Sequence, residues 1–360
     1  MRIIHILNHT RRLNGNVHAA IDLACAQVKL GHDVLVVSGG GDFDRLLAGN
    51  KVAVERIDQE RKPLTVLKAL PAFRRLVKTW KPDIVHAHMM TSAVLAFPVC
   101  RLSGIPLITT VHNAFEKSAV LMGLGNRVVA VSEAVGQSMR ERGIAARKLH
   151  VVLNGTIGSA RFDGRSRTPA QMHRPNILFV GGLHPRKGLP DLLEAFRLTR
   201  QAGIITHLYI AGGGPFETEY RRLAEETGHV DAITFIGAID EPFSYMMGAD
   251  IFVLPSHADP APLVLSEARE AGCAVIGADV DGIPQLLGYG EAGMLTPPRD
   301  PQALASLLIE LLSDPRLLEV WKSRSQLNLG NLTIERVARE TFDVYKSAMP
   351  FRARPTAAPA

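Results

Sequence analysis

The chain has 360 residues, 46% apolar and 21% charged, a balance that excludes disorder as the whole answer and gives room for two ordinary domains. No apolar run approaches the roughly 20 residues of a membrane-crossing helix, and Met1 to Asn8 enters a strand pattern directly, unlike a signal peptide. A cytoplasmic protein is expected. The net charge of +6 divides unevenly: residues 1–170 carry 24 Lys and Arg against 12 Asp and Glu, and the remainder carry 17 against 23. The basic half suits an anionic partner such as membrane lipid, a lipid-linked acceptor or phosphate, while the lack of a nucleic-acid motif argues against nucleic acid.

Ile3 to Leu7 reads as a buried strand, and Val17, Ala20, Ile21, Ala24, Cys25 and Val28 form one face of a helix that Gly31 ends. Val34 to Val37 is the next strand. The stretch from Arg61 and Lys62 to Lys81 interleaves Lys68, Arg74, Arg75 and Lys78 with Leu67, Leu70, Phe73, Val77 and Trp80. It fits either an amphipathic helix lying on anionic lipid, the basis for peripheral association with the inner face of a membrane, or a core-packed helix with a basic outer face, broken at Pro71. Short apolar runs continue at 83–88, 106–111, 127–131 and 149–153, the pattern of a parallel sheet covered on both faces.

Periodicity lapses between Thr156 and Pro175, a linker composition, and strands resume at 176–180, 208–211, 233–237, 251–254 and 274–276. Helices at 300–312 and 334–345 close the chain. The expectation is two doubly wound, Rossmann-like α/β domains facing a shared cleft: 1–157, joined by the C-terminal helix 332–349, and 158–331, with a frayed tail at 350–360. Cys25, Cys100 and Cys273 are far apart and read as buried thiols, with neither disulfide nor zinc.

Three loops carry chemistry. Asn14-Gly15-Asn16 precedes a helix and offers N–H groups to an anion, without the glycine pattern of a dinucleotide fingerprint or the ending of a P-loop. Gly181-Gly182-Leu183-His184-Pro185-Arg186-Lys187-Gly188 follows a strand and aims a lysine beside a helix start, a good diphosphate contact. Ala211-Gly212-Gly213-Gly214 reads as a tight turn. Asp259 lies in a loop and Glu267 in the next helix, seven residues between them, so the two carboxylates can address different hydroxyls while N–H groups at Leu263 and Val264 face phosphates.

These residues, with Asp83-Ile84-Val85-His86-Ala87-His88, Val111-His112-Asn113, Asn154-Gly155 and Gly282-Ile283-Pro284, resemble the retaining, nucleotide-sugar-dependent glycosyltransferases of family 4 with the GT-B fold. The resemblance covers nearly the whole chain. It implies transfer of a hexosyl unit from a nucleoside-diphosphate sugar to a glycan or lipid-linked acceptor. It also implies that Glu267 holds the ribose hydroxyls, Asp259 the sugar hydroxyls and Lys187 the diphosphate, with His112 near the transferred sugar and Gly15 near the phosphates. His112, Lys187 and Asp259 are the catalytic candidates; Gly15, Gly182, Arg186, Lys187, Leu263, Val264 and Glu267 are the donor-binding ones.

Two departures stand out. Gly181-Gly182 replaces the Gly-Arg of many relatives, leaving Arg186, Arg11 or Arg12 as substitutes, and Asp259 replaces a glutamate. Asp279-Val280-Asp281 reads as a turn, and His86 and His88 have no further ligand at metal spacing, so neither metal nor cofactor is expected. A non-catalytic nucleotide-sugar-binding homologue and a nucleotide-sugar epimerase of the same fold are the alternative readings.

Overall fold

The computed structural model describes residues 1–12, 14–60, 63–165 and 167–349. Arg61, Lys62 and the expected tail at 350–360 lie outside the described residues. The strands are β1 (Arg2–Ile6), β2 (Asp33–Ser38), β3 (Ala53–Arg56), β4 (Ile84–Ala87), β5 (Leu107–Val111), β6 (Arg127–Ala130), β7 (Leu149–Val151), β8 (Asn176–Val180), β9 (His207–Ala211), β10 (Ile233–Gly237), β11 (Ile251–Leu254), β12 (Ala274–Ala278) and β13 (Met294–Thr296). The first sheet runs β3-β2-β1-β4-β5-β6-β7 and the second β10-β9-β8-β11-β12-β13, parallel throughout the described residues.

Ile3, Ile4, Val36, Ile84, Val85 and Ile108 are fully buried, as are Ile177, Leu178, Ile251, Phe252 and Ile276 in the second sheet. Burial on both faces is why these strands read as unbroken apolar runs rather than alternations. β3 and β13 escape that reading. Ala53–Arg56 is a mostly exposed edge strand, and Met294–Thr296 is three residues long. The helix Pro315–Ser325 is also additional to the sequence reading, started by Asp314, whose side chain accepts from the N–H groups of Arg316 and Leu317.

The basic helix runs unbroken over Pro63–Trp80, with Pro71 inside it. Pro71 and Leu67 face solvent, so water can serve the carbonyl that the proline leaves without a donor. Ala69, Phe73 and Val77 pack into the core while Lys68, Arg74, Arg75 and Lys78 point outward. No helix of the described residues is long and apolar enough to cross a membrane. The three cysteines are free and buried, with their thiols pushed up to about 12 by desolvation.

The chain crosses between sheets twice, side by side. Residues 154–157 pass from the first sheet to the second, and residues 332–334 return, with Ile157 bridged to Thr333. Gly155 is needed there, since a Cβ would lie 2.4 Å from the Leu332 carbonyl oxygen. The returning helix, Ile334–Ala348, packs Ile334, Val337, Ala338 and Tyr345 under the first sheet.

The stretch after Thr156, read from composition as a linker, is anchored at its start. Asp22 of the first helix, Gly15–Lys29, is 1% exposed and accepts from Thr156 Oγ1 at 2.7 Å and Ser159 Oγ at 2.5 Å. Arg161 closes the site with Nε at 2.7 Å and Nη2 at 2.8 Å from the two carboxylate oxygens. Removing one member of a buried, hydrogen-bonded ion pair typically costs about 3–5 kcal/mol because the partner charge stays buried. Asp22→Ala is expected to lower the thermal unfolding midpoint sharply; a midpoint within a degree or two of the parent would contradict this anchoring.

Candidate functional site

Strand order reverses between β1 and β4 in the first sheet and between β8 and β11 in the second. Loops leaving adjacent strands in opposite directions open a crevice at such a point. The turn after β8 carries Lys187, and the loop after β11 carries Asp259. Gly188 has φ +68°, and a Cβ there would lie 1.9 Å from the Pro255 carbonyl oxygen. Only glycine allows this close approach. His257 N–H donates to the Arg186 carbonyl at 2.8 Å, and His257 Nε2 meets Asp191 Oδ2 at 2.6 Å. The laced loops bring Lys187 Nζ to 2.5 Å from Asp259 Oδ2, both side chains largely buried.

Asp259 is held further by Ser256 Oγ at 3.3 Å, and its backbone N–H donates to Asp281 Oδ2 at 2.7 Å. Asp281 has φ +49° in its turn, and burial raises its carboxyl above the usual range. Asp281 thus braces the Asp259 loop. Gly212 and Gly214 are also turn residues by necessity: a Cβ would sit 1.9 Å from the Gly181 oxygen and 2.4 Å from the Leu183 oxygen, respectively.

Glu267 lies in the helix Leu263–Ala271, which starts after Pro262 with no side-chain cap on its N–H groups, Leu263 and Val264 being first. It is brought toward Arg161 rather than Lys187, with Arg161 Nη2 at 3.9 Å from Oε1. Arg161 therefore faces a carboxylate from each half of the molecule, Asp22 and Glu267. Composition concealed this residue, because its segment resembled a linker. Burial raises Glu267 to about 7, with the Arg161 charge pulling the other way.

Contacts across the cleft bring the remaining loops together. Ser132 Oγ donates to the Pro260 carbonyl at 2.6 Å, and Asn154 Nδ2 to the Ala261 carbonyl at 3.1 Å. At Gly282 a Cβ would lie 2.0 Å from the Pro260 oxygen and 2.9 Å from Ser132 Cβ, so a side chain would force the two halves apart. Arg186 stacks over Phe115, just past His112, with 5.5 Å from its guanidinium carbon to the ring centre. Arg12 pairs with Asp240 across the cleft at 2.7 Å. Of the three candidates for the missing arginine, Arg186 and Arg12 thus each have a partner already.

Gly15 is the first residue of its helix, with open space where a side chain would be; Gly182 has only the Gly213 oxygen, 4.0 Å away. His112, at the end of β5, makes its hydrogen bond within the first domain, Nε2 to His88 Nδ1 at 3.2 Å. Three buried imidazoles, His5, His86 and His88, have nitrogens within 4.8 Å of one another. Each ring is already hydrogen-bonded to other side chains. A cavity of about 850 Å³ beside Arg101, Arg127, Lys148 and Met349 lies at the amino ends of β5 and β6, away from the cleft.

Residues 13–156 match the profile of Glycosyltransferase Family 4, and residues 161–327 that of Glycosyl transferases group 1. Among curated proteins, glycogen synthase of Mycobacterium tuberculosis is 28% identical over 292 residues, covering 75% of this chain and 70% of its own. Phosphatidyl-myo-inositol mannosyltransferase of Mycolicibacterium smegmatis is 24% identical over 368 residues, covering 96% and 94%. Among solved structures, a glycosyltransferase from Rickettsia africae superposes with TM-score 0.80 at 19% identity, covering 96% of this chain and 98% of that one. Anabaena HepE in complex with UDP gives 0.79 at 20% identity, covering 96% and 100%. Both structures share the two-sheet GT-B fold.

Because the unfolded chain ionises Glu267 near 4.5 and the folded chain only near 7, the native state binds the extra proton between these values. The stability tied to that proton is present at pH 4.5 and lost as pH rises through 7, by at most about 3 kcal/mol. Glu267→Gln is therefore expected to gain in melting temperature relative to the parent as pH goes from 5 to 8. A difference that stays constant over that range would contradict a raised Glu267.

Proposed function

The chain belongs to glycosyltransferase family 4, and from that premise we propose that it moves a hexosyl unit from a nucleoside-diphosphate sugar to a glycan or lipid-linked acceptor with retention at the anomeric carbon. The observation that carries this reading is the buried Lys187–Asp259 pair at the switch point of the second sheet, facing the loops of the first. The second domain, 158–331, is assigned the donor, and residues 1–157 with the returning helix the acceptor.

As the bond from the sugar C1 to the phosphate oxygen breaks, negative charge collects on the departing diphosphate. Lys187 and the uncapped N–H groups at Leu263 and Val264 are preorganised cationic and dipolar donors for that charge. The acceptor oxygen bonds to C1 on the same face, and its proton passes to the leaving phosphate. Asp259 is already oriented by Ser256 and by its backbone bond to Asp281, and is assigned the sugar hydroxyls. Glu267 is assigned the ribose hydroxyls, which donate to its two carboxylate oxygens once it is ionised. His112 is placed near the transferred sugar; Gly15, Gly182 and Arg186 line the phosphate side. The reaction is proposed to need neither metal nor cofactor. The outward basic face of Pro63–Trp80, with Leu64 and Leu67 exposed beside it, is assigned to peripheral contact with anionic membrane at the cytoplasmic side.

Removing a charge-stabilising donor of this kind typically costs roughly 100-fold or more in turnover. Lys187→Ala, assayed with UDP-, GDP- and ADP-sugars, is expected to lose transfer to that extent while keeping its fold, at a lowered melting temperature because Asp259 is left buried without its partner. Turnover near that of the parent would remove Lys187 from the reaction; an altered sugar without acceptor would identify an epimerase, and donor binding without release of nucleoside diphosphate a non-catalytic binder. Turnover is also expected to survive a chelator, and its abolition would contradict a metal-free reaction.

A further inference from the structure

Behind His112 runs a chain of hydrogen-bonded side chains buried between the first sheet, the first helix and the returning helix. His5, Gln27, His86 and Tyr345 are fully buried, and His88 is 3% exposed. Gln27 Nε2 donates to Tyr345 Oη at 3.1 Å, and Gln27 Oε1 lies 2.7 Å from His5 Nε2. His5 Nδ1 is 2.8 Å from His88 Nε2, and His88 Nδ1 is 3.2 Å from His112 Nε2. The last atom in the series, His112 Nδ1, is buried with no partner among the described residues.

Desolvation holds His5 and His112 at about 4 and lowers His86 and His88 well below the usual imidazole range, so at neutral pH each ring carries one proton. One proton per ring makes the series directional. A carbonyl oxygen at Gln27 requires N–H at His5 Nε2 and leaves His5 Nδ1 bare. His88 must then donate from Nε2, leaving its own Nδ1 bare, and His112 must donate from Nε2. Each neutral ring passes the polarity of the Gln27 amide to the next. Tyr345 carries the same polarity into a side branch: having accepted from Gln27, its hydroxyl donates to His86 Nδ1 at 2.6 Å, and His86 Nε2–H is left for Thr110 Oγ1 at 2.6 Å. With the amide turned over, every bond would reverse and the series would end in a buried N–H at His112 Nδ1 without an acceptor, the rarer kind of orphan.

We propose that Gln27, hydrogen-bonded to Tyr345, acts through His5 and His88 to fix the tautomer of His112, leaving His112 Nδ1 as a hydrogen-bond acceptor for a hydroxyl of the ligand in the cleft. Gln27, His5, His88 and Tyr345 are positioning residues, and the returning helix thereby sets the polarity of a side chain at the end of β5. The identity of the hydroxyl, one on the donor sugar, rests on the function proposed above; the tautomer does not.

The two parts separate in one set of experiments. Long-range ¹H–¹⁵N correlation on ¹⁵N-histidine-labelled, ligand-free protein reads the protonated nitrogen of each ring, with His112 assigned by loss of its signals in His112→Gln. The expected state of His112 is N–H at Nε2 and a bare Nδ1. His5→Asn, whose side-chain oxygen can stand in for Nδ1 as the acceptor for His88, should keep that state; His5→Phe and Gln27→Met, which remove the acceptor, should lose or mix it. N–H at Nδ1 in the parent, or the same tautomer in all variants, would overturn the relay. Should either disruptive variant not fold, the parent spectrum alone decides. In the transfer assay, Gln27→Met should lower kcat about tenfold, the equivalent of one misplaced hydrogen bond, with donor KM little changed and His5→Asn near the parent. A parent with the expected tautomer and no transfer would defeat the proposed function and leave the relay standing.

Discussion

Asp22 places a carboxylate in the interior of the first helix, where its charge has to be compensated or the helix cannot pack against the sheet. The compensation comes from the first residues beyond the crossing point: Thr156, Ser159 and Arg161. The segment that leaves the first sheet is thereby tied back to it. Arg161 then extends toward Glu267, so the helix carrying that carboxylate is placed relative to the first domain by the same guanidinium. A buried pair of this kind contributes less to net stability than well-packed apolar residues would, and its value lies in fixing one arrangement. Here the fixed arrangement is the relation between the two halves of the cleft.

Given that relation, sheet topology does the rest. Lys187 and Asp259 are 72 positions apart but belong to loops on the two strands that flank the reversal of the second sheet. Gly188 and Gly282 let backbone of the second domain approach where any side chain would intrude, and Gly282 also leaves room for the Ser132 side chain across the cleft. The ion pair leaves Lys187 neutralised and positioned, and an incoming diphosphate has to compete with Asp259 for it. Glu267 is in a comparable position, partly protonated near neutral pH and close to an arginine already committed to Asp22.

Much of this was legible in the sequence because parallel strands buried on both faces leave contiguous apolar runs, and because glycine turns and the Asp259–Glu267 spacing are local patterns. The edge strand Ala53–Arg56 was not, since an exposed strand has no such run. Arg161 and Asp22 were missed for a different reason. A charged residue on a helix face and an arginine in a Gly, Ser and Thr-rich stretch both look solvated until the fold brings them within 2.7 Å. The links from Gln27 through His5 and His88 to His112 are likewise set by strand register and by the returning helix. The motif around His86 and His88 is a local pattern, yet the hydrogen-bond partners of its two rings come from residues 5, 110, 112 and 345.

In the proposed reaction one nucleotide sugar is held between the two sheets by the loops after β8, β11 and β5. Hydrogen–deuterium exchange of the full chain, alone and with UDP-, GDP- or ADP-glucose, tests it most directly. At least one of these ligands is expected to slow exchange together in residues 181–188, 259–268 and 111–115, leaving Pro63–Trp80 unchanged. Protection confined to residues outside the cleft, or none with any of the three, would contradict it.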